Sequence, residues 1–196
     1  MPSEPARSAK EKILDAFQDI LIESGESTAT IEAVATRAGM SKGGFLYHYP
    51  NKAALIDAFA DRLHDRAMED VALMASAPEG ATHYYLRTSA ITTDTYGRVA
   101  IAATRLDEEN RGRVRAIVAD VQQRILTILE RDTGSETAAR ALLLIGDGLY
   151  YNALTGGIGS EGTMPELIED LYTAAQKLSA EPDTASGTES NVSTTD

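Results

Sequence analysis

Residues 28–52 carry the punctuation that most narrows what this chain can fold into. Thr30 precedes a short apolar-periodic run that stops at Gly39. Ser41 then precedes a second run, about Lys42–Tyr47, which Pro50 terminates, and Asn51 opens a third. Ser, Thr and Asn at such points cap helix N-termini, because their side-chain oxygens accept orphan backbone N–H groups. Gly is favoured just past a helix end, where it takes a left-handed conformation without strain. Proline disfavours a helical residue before it. Two short capped helices meeting at a glycine, with a third starting at once, make the layout of a helix-turn-helix.

Charge would not suggest a nucleic-acid partner. The 196 residues carry a net −12. Residues 1–52 hold six Lys/Arg and seven Asp/Glu, a net of −1, which leaves −11 for the remainder. Phosphate neutralisation supplies most non-specific affinity for DNA, so cations must here be placed rather than abundant. Helix N-termini add to them, since their free N–H groups and dipole favour phosphate.

A helix that enters the major groove reads bases with its N-terminal residues. Lys42 opens the second helix of the motif, where it can reach guanine O6 or N7, or a phosphate. Gly43 and Gly44 each cost a helix interior about 1 kcal/mol relative to Ala. Close approach of backbone to DNA would account for them; a loose loop is the plainer account. Tyr47 and His48 place polar tips at the helix end, suited to phosphate, although Tyr47 also suits a core aromatic with a wet hydroxyl. Lys52 brings a cation to the next helix start, or is a solvated surface charge. Thr30 and Ser41 are caps whether or not DNA binds.

The rest of the chain reads as helix, with no sustained strand alternation. Ile13, Phe17, Ile20 and Leu21 share one face of a first helix, about Ser8–Ser24. Ala33, Val34 and Ala38 face inward behind Thr30. Leu55, Ile56, Phe59 and Leu63 stripe a fourth helix reaching about Met74. A fifth is expected over Thr82–Tyr96 and a sixth over Arg98–Leu106, then a turn at Asp107–Gly112. A long helix follows over Arg113–Arg131, and an eighth over Glu136–Leu154. After a glycine-rich loop, Thr163 and Pro165 open a last one, to about Leu178. Residues 179–196 turn to Ser, Thr, Glu, Asp and Gly, a composition expected to stay disordered as an acidic tail.

The motif resembles that of the tetracycline-repressor-type (TetR/AcrR) one-component regulators. The likeness rests on Thr30-Ile-Glu-Ala-Val-Ala-Thr-Arg-Ala-Gly39, then Met40-Ser-Lys-Gly-Gly-Phe-Leu-Tyr-His-Tyr-Pro-Asn-Lys52 and Ala54-Leu55, within residues 8–60. It implies an all-α fold: an N-terminal three-helix helix-turn-helix domain joined by a connecting helix to a C-terminal ligand-binding and dimerisation domain. The boundaries would be 1–52 (motif 30–49), 53–178 and the tail 179–196. It implies DNA contacts at Thr30, Ser41, Lys42, Gly43, Gly44, Tyr47, His48 and Lys52. Two positions depart from the common family pattern. Gly44 stands where Thr or Ser is usual and Leu46 where Tyr is usual, so the phosphate role would pass to Tyr47.

The resemblance further implies a homodimer through the last two helices. The eighth helix agrees, being apolar along Leu142, Ile145 and Leu149 and again along Leu143, Gly146, Tyr150 and Ala153; both sides need burial. A small-molecule inducer would sit in the second domain. Aromatic walls with one acid suit a cationic or hydroxylated ligand, which makes Tyr85, Tyr96, Asp147, Tyr150 and Tyr151 the candidates. Each is otherwise packing or a satisfied carboxylate.

Catalysis is not expected. The chain has no Cys, and His48, His64 and His83 lack metal-ligand spacing. No cofactor is implied. No apolar run approaches the ~18 residues of a membrane span, and the first residues lack the apolar core of a signal peptide. The expectation is a cytoplasmic, ligand-responsive repressor on a palindromic operator. Rival readings are a helical interaction or small-molecule-binding module without DNA binding, an enzyme, or an activator.

Overall fold

The computed structural model describes residues 8–91, 93–155 and 164–180, and every described element is helical. In chain order these are α1 (Ala9–Ser24), α2 (Ile31–Arg37), α3 (Lys42–His48), α4 (Lys52–Ala75), α5 (Ala81–Ser89), α6 (Thr95–Thr104), α7 (Gly112–Thr133), α8 (Glu136–Thr155) and α9 (Met164–Ala180). Short 3-10 turns cover Glu26–Thr28 and Glu108–Asn110. The expected acidic tail and the glycine-rich loop before α9 lie outside the described residues, apart from Ser179 and Ala180.

Each helix of the motif starts where its sequence supplies an acceptor, and so does α1. Ser8 accepts from the Glu11 amide while Glu11 accepts from the Ser8 amide, a reciprocal box. Thr30, Ser41 and Asn51 cap α2, α3 and α4 as expected. The boundary between α5 and α6 differs from expectation. α5 ends at Ser89, not Tyr96, and α6 begins at Thr95 with Asp94 as its cap, its carboxylate accepting from the Gly97 amide at 2.6 Å. Gly97 is therefore buried inside α6 rather than ending α5.

The chain gathers into two compact units. The first comprises Met1–Ser76 and Ile91–Arg124. Its core is built on α1: Phe17 meets Phe59 of α4 edge to face, ring centroids 5.5 Å apart. Ile13, Leu21, Val34, Phe45, Leu55, Leu63 and Leu106 are buried around them. Ala35, not Ala33, joins Val34 inside. α4 packs on α1 and α6, and α1 also carries α2 and α3. Ion pairs strap the outside, Arg62 to Asp15 at 2.7 Å and Arg98 to Asp19 at 2.8 Å.

The second unit comprises Ala77–Ala90 and Ile125–Asp196. There α5 packs on α8 and α9. Leu86, Leu129, Ala139 and Leu142 are its buried centre. α5 lacks a side-chain cap of its own, because Gly80 precedes it. Asp132 of α7 supplies one instead, accepting from the Thr82 amide at 2.9 Å and the Thr82 hydroxyl at 2.6 Å. On α8, Gly146 is required by its neighbour: a Cβ there would stand 2.4 Å from the Tyr85 ring.

Candidate nucleic-acid interface

The motif is held by side-chain caps and backbone hydrogen bonds together. Thr30 Oγ1 accepts from the Ala33 amide at 3.1 Å and starts α2. α2 ends with the Ala38 amide donating to Val34 O at 2.9 Å and the Met40 amide reaching back to Ala35 O at 3.0 Å. Gly39 sits between them with φ 72°, a conformation open to glycine at little cost. Two residues later Ser41 Oγ accepts from the Gly44 amide at 3.1 Å and starts α3. The angle between the two helices is therefore set by one glycine and two caps.

α3 is only seven residues long and is anchored by one of them. Phe45 is fully buried and lies against the buried Tyr49 ring, centroids 6.1 Å apart. Burial pushes the Tyr49 phenol above its ordinary range. With Phe45 inward, Lys42, Gly43, Leu46 and Tyr47 share the opposite, exposed face. Tyr47 is 86% exposed, so it is no core aromatic. His48 is half-buried, its ring meeting Tyr47 edge to face at 5.1 Å. Leu46, which stands where the family pattern usually has Tyr, is exposed at 38%.

Gly43 and Gly44 are helical, not a loose loop, and neither has a positive φ. Nor does packing require them. A Cβ at Gly43 would meet Ser41 Oγ at 3.9 Å, and one at Gly44 would meet Ser41 Oγ at 3.5 Å and Met40 Cβ at 3.7 Å, ordinary contacts all. The fold would accept alanine at both.

The three cations between Gly25 and Lys52 each meet a carboxylate. Arg37 donates two bonds to Glu23, at 3.0 and 2.7 Å. Lys42, 58% exposed, meets Glu32 of α2 at 2.5 Å. These bonds hold the Glu23 and Glu32 carboxyls below the usual glutamate range, through Arg37 and Lys42 respectively. Exposed pairs of this kind are weak, so phosphate can displace either carboxylate. Lys52 differs. It is half-buried and its ammonium lies 3.2 Å from Oε1 of Glu26 and donates to Glu26 O at 3.0 Å. Its charge is turned into the module, where a buried carboxylate holds it.

Of the five tyrosine and aspartate positions expected to line a ligand cavity, Tyr96 belongs to the first unit and the other four to the second. Within the second, Tyr85 is buried against Gly146 with its hydroxyl donating to Leu143 O at 3.3 Å. Asp147 and Tyr151, one turn apart, are exposed. Helical phase separates them: 142, 146 and 149 face in, while 144, 147 and 151 face out. A polar cavity of about 480 Å³ does occur in the first unit, lined by Asp15, Gln18, Asp19, Arg62, Arg66 and Arg98 among others, and none of the five contributes to it. Among the described residues no cluster of His, Cys, Asp or Glu is placed to hold a metal. No described helix is long and apolar enough to cross a membrane.

Comparison with known proteins agrees with this geometry. Residues 13–59 match the family model described as "Bacterial regulatory proteins, tetR family". The HTH-type transcriptional regulator TtgR of Pseudomonas putida is 31% identical over 62 residues, 32% of this chain and 30% of TtgR. The match thus spans under a third of that relative's length. Among solved structures, NalD, the secondary repressor of the MexAB-OprM multidrug efflux pump in Pseudomonas aeruginosa, aligns with a TM-score of 0.62 at 18% identity. That alignment covers 84% of this chain and 94% of NalD. SmeT, solved as a complex with triclosan, aligns with a TM-score of 0.60 at 19% identity, covering 88% of this chain and 90% of SmeT. These two share the all-helical fold.

Proposed function

We propose that this chain, which belongs to the TetR family of bacterial regulatory proteins, is a cytoplasmic ligand-responsive repressor that binds a palindromic operator as a homodimer. One observation carries the reading most. In the matched segment, α3 is pinned by Phe45 and turns Lys42, Gly43, Leu46 and Tyr47 to solvent as one face. Residues 1–52 would serve as the DNA-binding domain with its motif at 30–49, and 53–178 as the ligand-binding and dimerisation domain.

Lys42 exchanges Glu32 for a base edge or phosphate. Thr30, Ser41 and the amides they cap face the backbone, with Tyr47 and His48 on phosphate. Gly43 and Gly44 let α3 lie close in the groove; that the fold does not require them supports this use. Lys52 acts from within, through Glu26.

The homodimer is supported by an unpaired apolar face. On α8, Leu144 is 71% and Tyr151 66% exposed, with Leu154 beside them on the same face; Leu178 is exposed on α9. A row of large exposed apolar side chains along one helix marks an interaction surface. Asp147 and Tyr151 therefore suit the partner better than a ligand cavity, and Tyr85 and Tyr150 remain the ligand candidates of the second unit. Two α3 helices would enter successive major grooves about 34–36 Å apart. An inducer would act by changing that spacing, a coupling between two sites. The triclosan complex of SmeT, a chain of like fold, supports a small-molecule inducer.

Selection of bound duplexes from a random pool at low salt tests the proposal. A palindrome with half-sites about one helical turn apart is the expected outcome. Recovery of no enriched duplex would leave a helical interaction module as the better reading.

A further inference from the structure

Glu26 is 3% exposed, yet it lies in a 3-10 turn between α1 and the Thr30 cap, where a polar residue would ordinarily meet water. A buried carboxylate is tolerated only when its oxygens are paired. Here the donors come from two other places in the first unit. Lys52, at the start of α4, lies 3.2 Å from Oε1. The turn after α6 supplies the other two: the Asp107 amide donates to Oε2 at 2.6 Å, and the Asn110 side-chain amide donates to Oε1 at 2.7 Å. That turn is itself stapled, Arg111 Nε donating to Leu106 O at 2.5 Å above a fully buried Leu106.

The carboxylate therefore joins three segments that are far apart in sequence. One enters the helix-turn-helix, one leaves it, and the third, residues 107–110, lies outside the 13–59 segment that matches the family model. None of the three can shift alone without leaving an oxygen of the buried Glu26 carboxylate short of a donor.

We infer that Glu26 is a positioning residue: it ties the helix-turn-helix to the 107–111 turn, so that the DNA-reading face is held by residues that do not touch DNA. The inference rests on the DNA-binding reading for its consequence, but the tie itself is a property of the free protein. Glu26→Gln keeps the side-chain shape and presents an NH2 where a second acceptor is needed. Asn110→Ala removes one donor at the surface and keeps the test open should the buried variant fold poorly.

Amide hydrogen exchange of the full chain reads the tie directly. With either variant, exchange should rise both at 107–111 and across 31–48, while α8 stays protected as in the parent. A rise confined to 107–111 would overturn the inference. Operator affinity reads the consequence. Glu26→Gln should weaken operator binding roughly tenfold, and Asn110→Ala should add less than about twofold in that background, since the two act through one contact. Additive losses would contradict it. Lys52→Met should leave the salt dependence of binding unchanged; a slope smaller by about 0.9 would make Lys52 a phosphate contact instead. Should the parent bind no duplex, the DNA-binding reading fails, and the exchange measurement still decides the tie.

Discussion

Lys42 stands in solvent at the first turn of α3 with its ammonium on Glu32, and that pair frames what single residues predict. Loss of a base contact costs about 1–3 kcal/mol, so Lys42→Ala should weaken operator binding by that amount and relax preference at one base pair per half-site. Glu32→Gln removes the competing carboxylate and should raise affinity for non-specific duplex, measured by salt titration. The same pair has a pH signature. The Glu23 and Glu32 carboxyls are held low in the folded state by Arg37 and Lys42. Their contribution to stability is complete above the usual glutamate range and is lost as pH falls through their lower folded values. Urea melts across that acid window should show a shallower dependence for Glu32→Gln than for the parent. At this scale the sequence was partly legible. Caps at Thr30, Ser41 and Asn51 follow from local chemistry and stand where expected. The burial of Glu26 does not, because its donors arrive from residues 107 and 110, beyond the reach of periodicity or capping rules.

The helices that positioned themselves by local signals were the ones with strong stripes. α1 and α4 bury Ile13, Phe17, Ile20 and Leu21, and Leu55, Ile56, Phe59 and Leu63, as their 3.6-residue spacing requires. The break between α5 and α6 falls earlier than expected, because the Asp94 cap starts α6 at Thr95 and puts the buried Gly97 inside it. α3 makes the clearest prediction for an element. Its two glycines weaken a seven-residue helix, and the fold offers room for a methyl at either. Gly43→Ala should stabilise the free protein by about 0.5–1 kcal/mol and weaken operator binding, so stability and affinity move in opposite directions. If both rose together in thermal melts and binding titrations, close approach of Gly43 to DNA would be excluded. Gly146 is the opposite case. Gly146→Ala sets a Cβ against the buried Tyr85 ring and should lower melting temperature, while leaving α3 untouched.

For the whole molecule, the charge asymmetry and the helical class were legible in the sequence, and the arrangement of the second unit was not. Two apolar stripes on α8 were foreseen, but the face that turns out belongs to neither. Packing of α5 fills the side at Gly146 and Leu142, one residue from each stripe, and leaves Leu144 and Tyr151 in solvent. Leu144→Asp should therefore give a folded monomer by analytical ultracentrifugation, with operator affinity reduced by the loss of the second half-site. A dimer that persisted would move the partner surface elsewhere. Whether paired α3 helices read DNA through Lys42 and its neighbours is decided by parallel selection of duplexes from one random pool, with the parent chain and with Lys42→Ala. A palindrome is expected for the parent and, for the variant, the same palindrome with preference lost at one symmetric position in each half-site. No enriched duplex, or an unchanged preference in the variant, would contradict that reading.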